Sequence, residues 1–250
     1  MGMVRYGRRP AATRVWSGTT VALVPASPTG EIVVMLHGWP VQDSATYWLD
    51  SRIREQRTGV EYPVDAMLAT GHTLIYPYLG RSWGTVASSE QAYIDVVTMA
   101  GTLGLDATSC HLLGGSMGGL NAITFARMEG AADWPVILYI PAVSLGEIWD
   151  LGNDVLGQFD LRDSVEAVWG VGRATVVAAS ADIDPVQVDC SHLTGRTLVI
   201  AASNDSVVTY STVQAWCAQY DLPLTTIGTG HFSMDDPNLV EVDLLAHFHS

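Results

Sequence analysis

A chain of 250 residues with 48% hydrophobic side chains is long enough for one large α/β domain with a sizeable core. No apolar run is long enough to cross a bilayer, and a formal net charge of −14 argues against a nucleic-acid partner, because binding phosphates by counterion release needs a basic face. All 12 basic residues are arginine, and Cys110, Cys190 and Cys217 are too widely spaced for a metal-type pair, so three thiols are expected, with no metal and no cofactor.

Residues 1–14 read as an N-terminal arm carrying Arg5, Arg8, Arg9 and Arg14, with no acid before Glu31. It is either a solvated lead-in or a basic contact for a protein partner. The apolar stretch at 19–24 is too short and too polar for a signal core, so a chain made in the cytoplasm, or assembled into a larger particle, is expected. Edge strands are predicted at 13–16 and 20–24. Ile32-Val33-Val34-Met35-Leu36 is a continuous β-branched run, the pattern of a strand buried on both faces, and ends at His37-Gly38-Trp39-Pro40. Residues 43–68 are polar and aromatic, with Trp48 opening a helical stretch and a helical turn at 64–70 closed by Gly71. A strand at 73–79 leads to Gly80-Arg81-Ser82-Trp83-Gly84. Residues 88–103 form an amphipathic helix with Tyr93, Val96, Val97 and Ala100 on one face.

The strand predicted at 106–113 passes into Gly114-Gly115-Ser116-Met117-Gly118-Gly119 and then into a helical run from Leu120 to Met128. This is the strand, tight turn and helix of a nucleophile elbow. Gly114 and Gly118 must lack side chains because the chain nearly touches itself on either side of a strained serine, whose hydroxyl projects beside a helix N-terminus. Another strand follows at 135–140. Residues 142–192 then interleave Trp149, Phe159 and Trp169 with aliphatic and acidic residues, the pattern of a small cap of two or three short helices. The last part holds a strand at 196–202 before Ser203-Asn204-Asp205, a helix at 210–220, a strand at 222–227, the loop Gly228-Thr229-Gly230-His231-Phe232, and a helix at 236–249. Apolar strands alternating with helices call for a mainly parallel sheet.

A serine hydroxyl is a poor nucleophile at neutral pH. It needs a base to take its proton, and the base needs a carboxylate to orient it. Ser116, Asp205 and His231 occur in that order, each just past a strand, and Asp182 and Asp184 are rival acids.

On HGW, GGSMGG, SND and GTGHF the chain resembles the α/β-hydrolase fold family over about residues 14–249. The resemblance implies a single domain with a central sheet of about eight strands, mainly parallel and flanked by helices, with 142–192 as a cap insertion. It implies catalysis by Ser116, Asp205 and His231 and an oxyanion hole from the backbone N–H groups of Trp39 and Met117. His37 is expected to brace its loop rather than to act as a base. Candidate pocket residues are Trp48, Trp83 and Trp149. The activity expected is hydrolysis of a small carboxylic ester. Aminopeptidase-like and thioesterase activities on the same residues, or a non-catalytic assembly subunit such as a virion-associated envelope esterase, are the alternatives.

Overall fold

The structure is a computed structural model that describes residues 12–38, 63–108, 110–153, 160–228, 230–231 and 247. Its strands are β1 (Ala12–Ser17), β2 (Thr20–Pro25), β3 (Ile32–Leu36), β4 (Thr73–Tyr76), β5 (Cys110–Gly115), β6 (Val136–Tyr139), β7 (Thr197–Ala202) and β8 (Leu224–Ile227). They make one eight-stranded sheet in the order β1-β2-β4-β3-β5-β6-β7-β8. β1, β2 and β4 pair antiparallel, and every pairing from β4 through β3 to β8 is parallel.

The middle strands are the apolar runs of the sequence. Every residue of β3, β4, β5 and β6 is buried, which requires cover on both faces of the sheet. Removing each Val, Ile or Leu side chain from water contributes about 1.5–3 kcal/mol. β1 is mostly exposed, with Trp16 in solvent, as suits an edge strand.

The helices are α1 (Pro63–Ala69), α2 (Val86–Leu103), α3 (Met117–Phe125), α4 (Leu145–Asp150), α5 (Leu161–Trp169), α6 (Arg173–Ala179) and α7 (Tyr210–Gln219). Helix α2 ends where Gly104, at φ 70°, turns its N–H back to the Ala100 and Gly101 carbonyls. Its buried stripe is Ser89, Ala92, Val96, Met99 and Ala100, and Val97 faces solvent. This corrects the expected face, since Val97 sits about 100° around the helix from Val96. Helix α4 begins with Ser144 accepting the Glu147 N–H, half of a capping box. None of the described helices is long and apolar enough to cross a membrane. The arm expected at 1–14 falls outside the described residues up to position 11, and Ala12–Arg14 already belong to β1. The helix expected at 236–249 lies outside them except for His247.

Helices α4, α5 and α6 fill the 142–192 segment between β6 and β7 and pack on one another. Their attachment to the loop after β4 is specific. The Trp83 indole N–H donates to Ser164 Oγ at 2.9 Å, the Trp169 indole N–H donates to the Trp83 carbonyl at 3.2 Å, and Arg81 pairs with Asp160 at 2.9 Å. These helices therefore rest against the carboxyl end of the sheet.

Candidate active site

The elbow is built by close approach of backbones. A Cβ on Gly118 would stand 2.0 Å from the Leu36 carbonyl oxygen, and one on Gly114 would stand 2.4 Å from the Gly118 carbonyl oxygen. Only glycine fits at either point. Ser116 itself holds φ 53° and ψ −119°, a conformation costing about 1–3 kcal/mol. It is anchored on both sides by its N–H to the Tyr139 carbonyl and its carbonyl to the Ala142 N–H, each 3.0 Å. That conformation is thus held by β6 and the residues just after it, and Ser116 stands at the first turn of α3.

The structure brings the three residues expected from sequence into one hydrogen-bonded chain. Ser116 Oγ lies 3.0 Å from His231 Nε2, and His231 Nδ1 lies 2.8 Å from Asp205 Oδ2. The second carboxylate oxygen, Asp205 Oδ1, accepts the Val207 and Val208 N–H groups at 2.7 and 2.8 Å. Those bonds fix the carboxylate in the turn after β7. Its side chain is 1% exposed and that of His231 is 7% exposed. With Nδ1–H donating to Asp205, Nε2 carries the lone pair that can accept the serine proton.

Of the rival acids, Asp184 is buried beside the Leu145 N–H and Gln187 Nε2, and burial raises its carboxyl above the usual carboxylate range. Asp182 offers its backbone carbonyl to Arg127. The imidazole of His231 faces Asp205 instead.

Around the serine, Met117 opens α3 with its N–H one residue beyond Ser116. Trp39, the other expected oxyanion donor, and Trp48 lie outside the described residues. Gly38, the residue before Trp39, lies directly against the site: a Cβ there would sit 3.3 Å from Ser116 Cβ and from the Gly115 carbonyl oxygen. His37 braces that loop. Its Nε2 accepts the Leu79 N–H at 3.2 Å, so Nδ1–H donates to the Gly38 carbonyl at 3.0 Å. Burial lowers its pKa to about 4, which keeps it neutral.

Trp83 is 1% exposed and Trp149 is half-buried. Both spend their indole N–H on α5, Trp83 on Ser164 and Trp149 on Glu166 at 2.7 Å, and Arg162 lies over the Trp149 ring. All three cysteines are buried free thiols, and burial pushes Cys110 and Cys217 up to about 12 and Cys190 to about 11. Near neutral pH all three therefore stay protonated.

One residue escaped the sequence reading. Asn121, fully buried on α3, donates to the Met117 carbonyl at 3.0 Å and accepts the Ser82 hydroxyl at 2.9 Å, tying the elbow helix to the loop after β4. An Asn one helical turn past Met117 carried no local signal, because its partner is 39 residues away.

No family model matches the sequence, and no curated protein matches it. Solved structures do match over nearly the whole chain. Est1E from Butyrivibrio proteoclasticus is 18% identical with a TM-score of 0.58, over 96% of this chain and 99% of that one. The S-formylglutathione hydrolase from Agrobacterium tumefaciens is 15% identical with a TM-score of 0.58, over 95% of this chain and 94% of that one. The protein has the α/β-hydrolase fold. A puromycin-hydrolyzing peptidase from Mycobacterium tuberculosis is similar to this α/β-hydrolase-fold chain at 17% identity and a TM-score of 0.58. That match covers 89% of this chain but 36% of the peptidase. Ser116, Asp205 and His231 follow the carboxyl ends of β5, β7 and β8 in this fold.

Proposed function

We propose that the protein is a serine hydrolase that cleaves a carboxylic ester through an acyl-enzyme on Ser116. The observation that carries this reading is the unbroken hydrogen-bond chain from Ser116 Oγ through His231 to Asp205, mounted on a strained turn. Ser116 Oγ attacks the acyl carbonyl carbon while its proton passes to His231 Nε2. The Met117 and Trp39 N–H groups hold the carbonyl oxygen as it becomes an oxyanion. Asp205 stabilises the imidazolium, whose proton then goes to the departing alkoxide as the carbon–oxygen bond breaks. Water attacks the acyl-enzyme, gives a proton to the same imidazole, and the acid leaves as Ser116 recovers its hydrogen. Residues 142–192 act as a cap that shapes the acyl pocket over this site.

An aminopeptidase would need carboxylates kept for the substrate amine. Five described acids of the cap are engaged elsewhere: Asp150 with Arg173, Asp160 with Arg81, Asp163 with Asn153, Glu166 with the Trp149 indole and Glu147 with Thr212. That favours an ester or thioester over a peptide. A thioester is the second reading, supported by a likeness to S-formylglutathione hydrolase that spans nearly the full length of both chains.

The deciding experiment is a pre-steady-state burst assay with p-nitrophenyl acetate, butyrate and octanoate and with matched thioesters, comparing wild type with Ser116→Ala. A burst near one equivalent that vanishes in the variant is expected, and the chain-length trend sizes the pocket. Equal slow rates in both proteins would overturn the reading.

A further inference from the structure

At the opposite end of the sheet, Glu31, His72 and His111 come together from three strands. The register explains why. Val33 of β3 is paired with Leu74 of β4 and with His111 of β5. Glu31 and His72 lie two residues before Val33 and Leu74, so all three side chains leave the same face of the sheet. β3 is the middle strand, and its two neighbours are roughly 10 Å apart. Even so, the two imidazole rings lean together over it to a centroid separation of 6.1 Å. One ligand atom from each of the three residues lies within 4.8 Å of the other two, and His72 Nε2 is 3.1 Å from Glu31 Oε2.

The backbone around the cluster is tightly held. The Gly71 carbonyl accepts both the N–H and the hydroxyl of Thr29, and the Thr73 N–H donates to the Glu31 carbonyl. On the far side of His72 the ring is held by Thr70, whose hydroxyl lies 2.8 Å from His72 Nδ1 and 2.9 Å from the Met67 carbonyl. With the hydroxyl proton on Met67, Nδ1–H donates to Thr70 and the Nε2 lone pair faces the Glu31 carboxylate; with it on Nδ1, Nε2–H donates to Glu31. A cation at Nε2 selects the first arrangement. A second imidazole at the same spot, on His111, gives a metal ion its third ligand. Metal-ligating histidines commonly donate their other ring N–H to an oxygen, and Thr70 Oγ1 stands where the His72 Nδ1–H would find one.

We propose that Glu31, His72 and His111 form a binding site for a divalent transition-metal ion, with zinc the best match. Two imidazole nitrogens and one carboxylate suit zinc or a late first-row ion rather than calcium or magnesium. Tetrahedral zinc needs ligand atoms roughly 3.4 Å apart, so small side-chain rotations close the triangle. His72 and His111 are buried, whereas the Glu31 side chain is 35% exposed and opens the path by which the ion enters. The ion would pin the amino ends of β4, β3 and β5, whose carboxyl ends carry the loops around Ser116. Its role is structural, and it is independent of the hydrolase reading.

The test uses the full chain, stripped with EDTA, freed of the chelator and titrated with zinc chloride by calorimetry, with the melting temperature followed in parallel. One equivalent should bind and raise the melting temperature. Thr70→Val should weaken zinc binding about 10- to 100-fold by releasing the His72 ring. Glu31→Gln should weaken it further, while His231→Ala binds as wild type does, which separates this site from zinc trapped at the triad. Cobalt(II) should give a visible d–d absorption in wild type that Glu31→Gln loses. Glu31→Gln is isosteric and partly exposed, so it reads the site even where a His111 variant does not fold. Absence of saturable zinc binding, or binding unchanged in both Glu31→Gln and Thr70→Val, overturns the proposal and leaves an imidazolium–carboxylate ion pair. No arm depends on ester turnover.

Discussion

The two ends of β3, β4 and β5 are built on opposite terms. Of the four described non-glycine residues with positive φ, three lie on the carboxyl side of strands: Ser116 and Ile140 directly after β5 and β6, and Trp83 in the loop that follows β4. A β-branched residue such as Ile140 at φ 48° is a true outlier. At the amino ends of β3 and β4 the positive φ angles fall on glycines, Gly30 at 98° and Gly71 at 94°, and order comes from hydrogen bonds between neighbouring turns. The sheet thus concentrates backbone strain where a side chain must be presented and relaxes where strands need only be joined. Strain of about 1–3 kcal/mol per residue persists only where the surroundings over-determine the geometry. Around Ser116 those surroundings are Leu36, Tyr139 and Ala142.

The contrast can be broken from the strained end first. Ser116→Ala should leave the fold intact and lower kcat toward the best ester by about 10^6-fold. A variant retaining most of the rate would move the chemistry elsewhere. Asp205→Asn keeps the shape but offers His231 the wrong partner, and a fall in kcat of about 10^4-fold is expected in the same steady-state assay. In Gly118→Ala the new methyl collides with the backbone at Leu36 and not with a side chain that could swing away. A stability loss of about 4 kcal/mol or more should appear in urea melts. A normal melt there would mean that β3 and α3 can slide apart.

A smaller effect separates the brace from the machinery. His37 has a folded pKa of about 4 against an ordinary value of 6.5, so the folded state binds fewer protons than the unfolded one between those values. Stability from this group is complete above pH 6.5 and is lost as pH falls toward 4, by about 3 kcal/mol in total. His37→Gln should be less stable at pH 7 but flatter across that window. Parallel curves for the two proteins would mean that the folded imidazole accepts a proton. The mildest change is Trp83→Phe, which removes the indole N–H from Ser164 and should cost about 1 kcal/mol in a chemical melt. A large loss of kcat instead would make Trp83 part of the pocket wall.

Local rules made the elbow readable. Glycine at positions 114 and 118 and an apolar run before them admit few backbones, so strand, turn and helix followed from residues close in sequence. The same holds for β3 and β6, whose β-branched runs mark strands covered on both faces. Leu105 and Ala107 extend the apolar pattern and put the start of the strand before the elbow at 106, whereas its pairing with β3 begins at Cys110. Periodicity places helix α2 but not every position of its buried face, since Val96 and Val97 look alike in sequence until packing buries the one and exposes the other.

The sequence by itself determined the order of strands and helices, the strained serine, and the succession of serine, acid and histidine after three strands, because each depends on backbone preferences within a few residues. Tertiary structure alone decided which carboxylate faces His231, how Asn121 joins α3 to the loop after β4, and where the indoles of Trp83 and Trp149 are spent. It alone assembled Glu31, His72 and His111, residues spread over 80 positions with no motif between them. Their meeting depends on strand order and on the parity of register, and a shift of one residue in either pairing would turn a ligand to the other face.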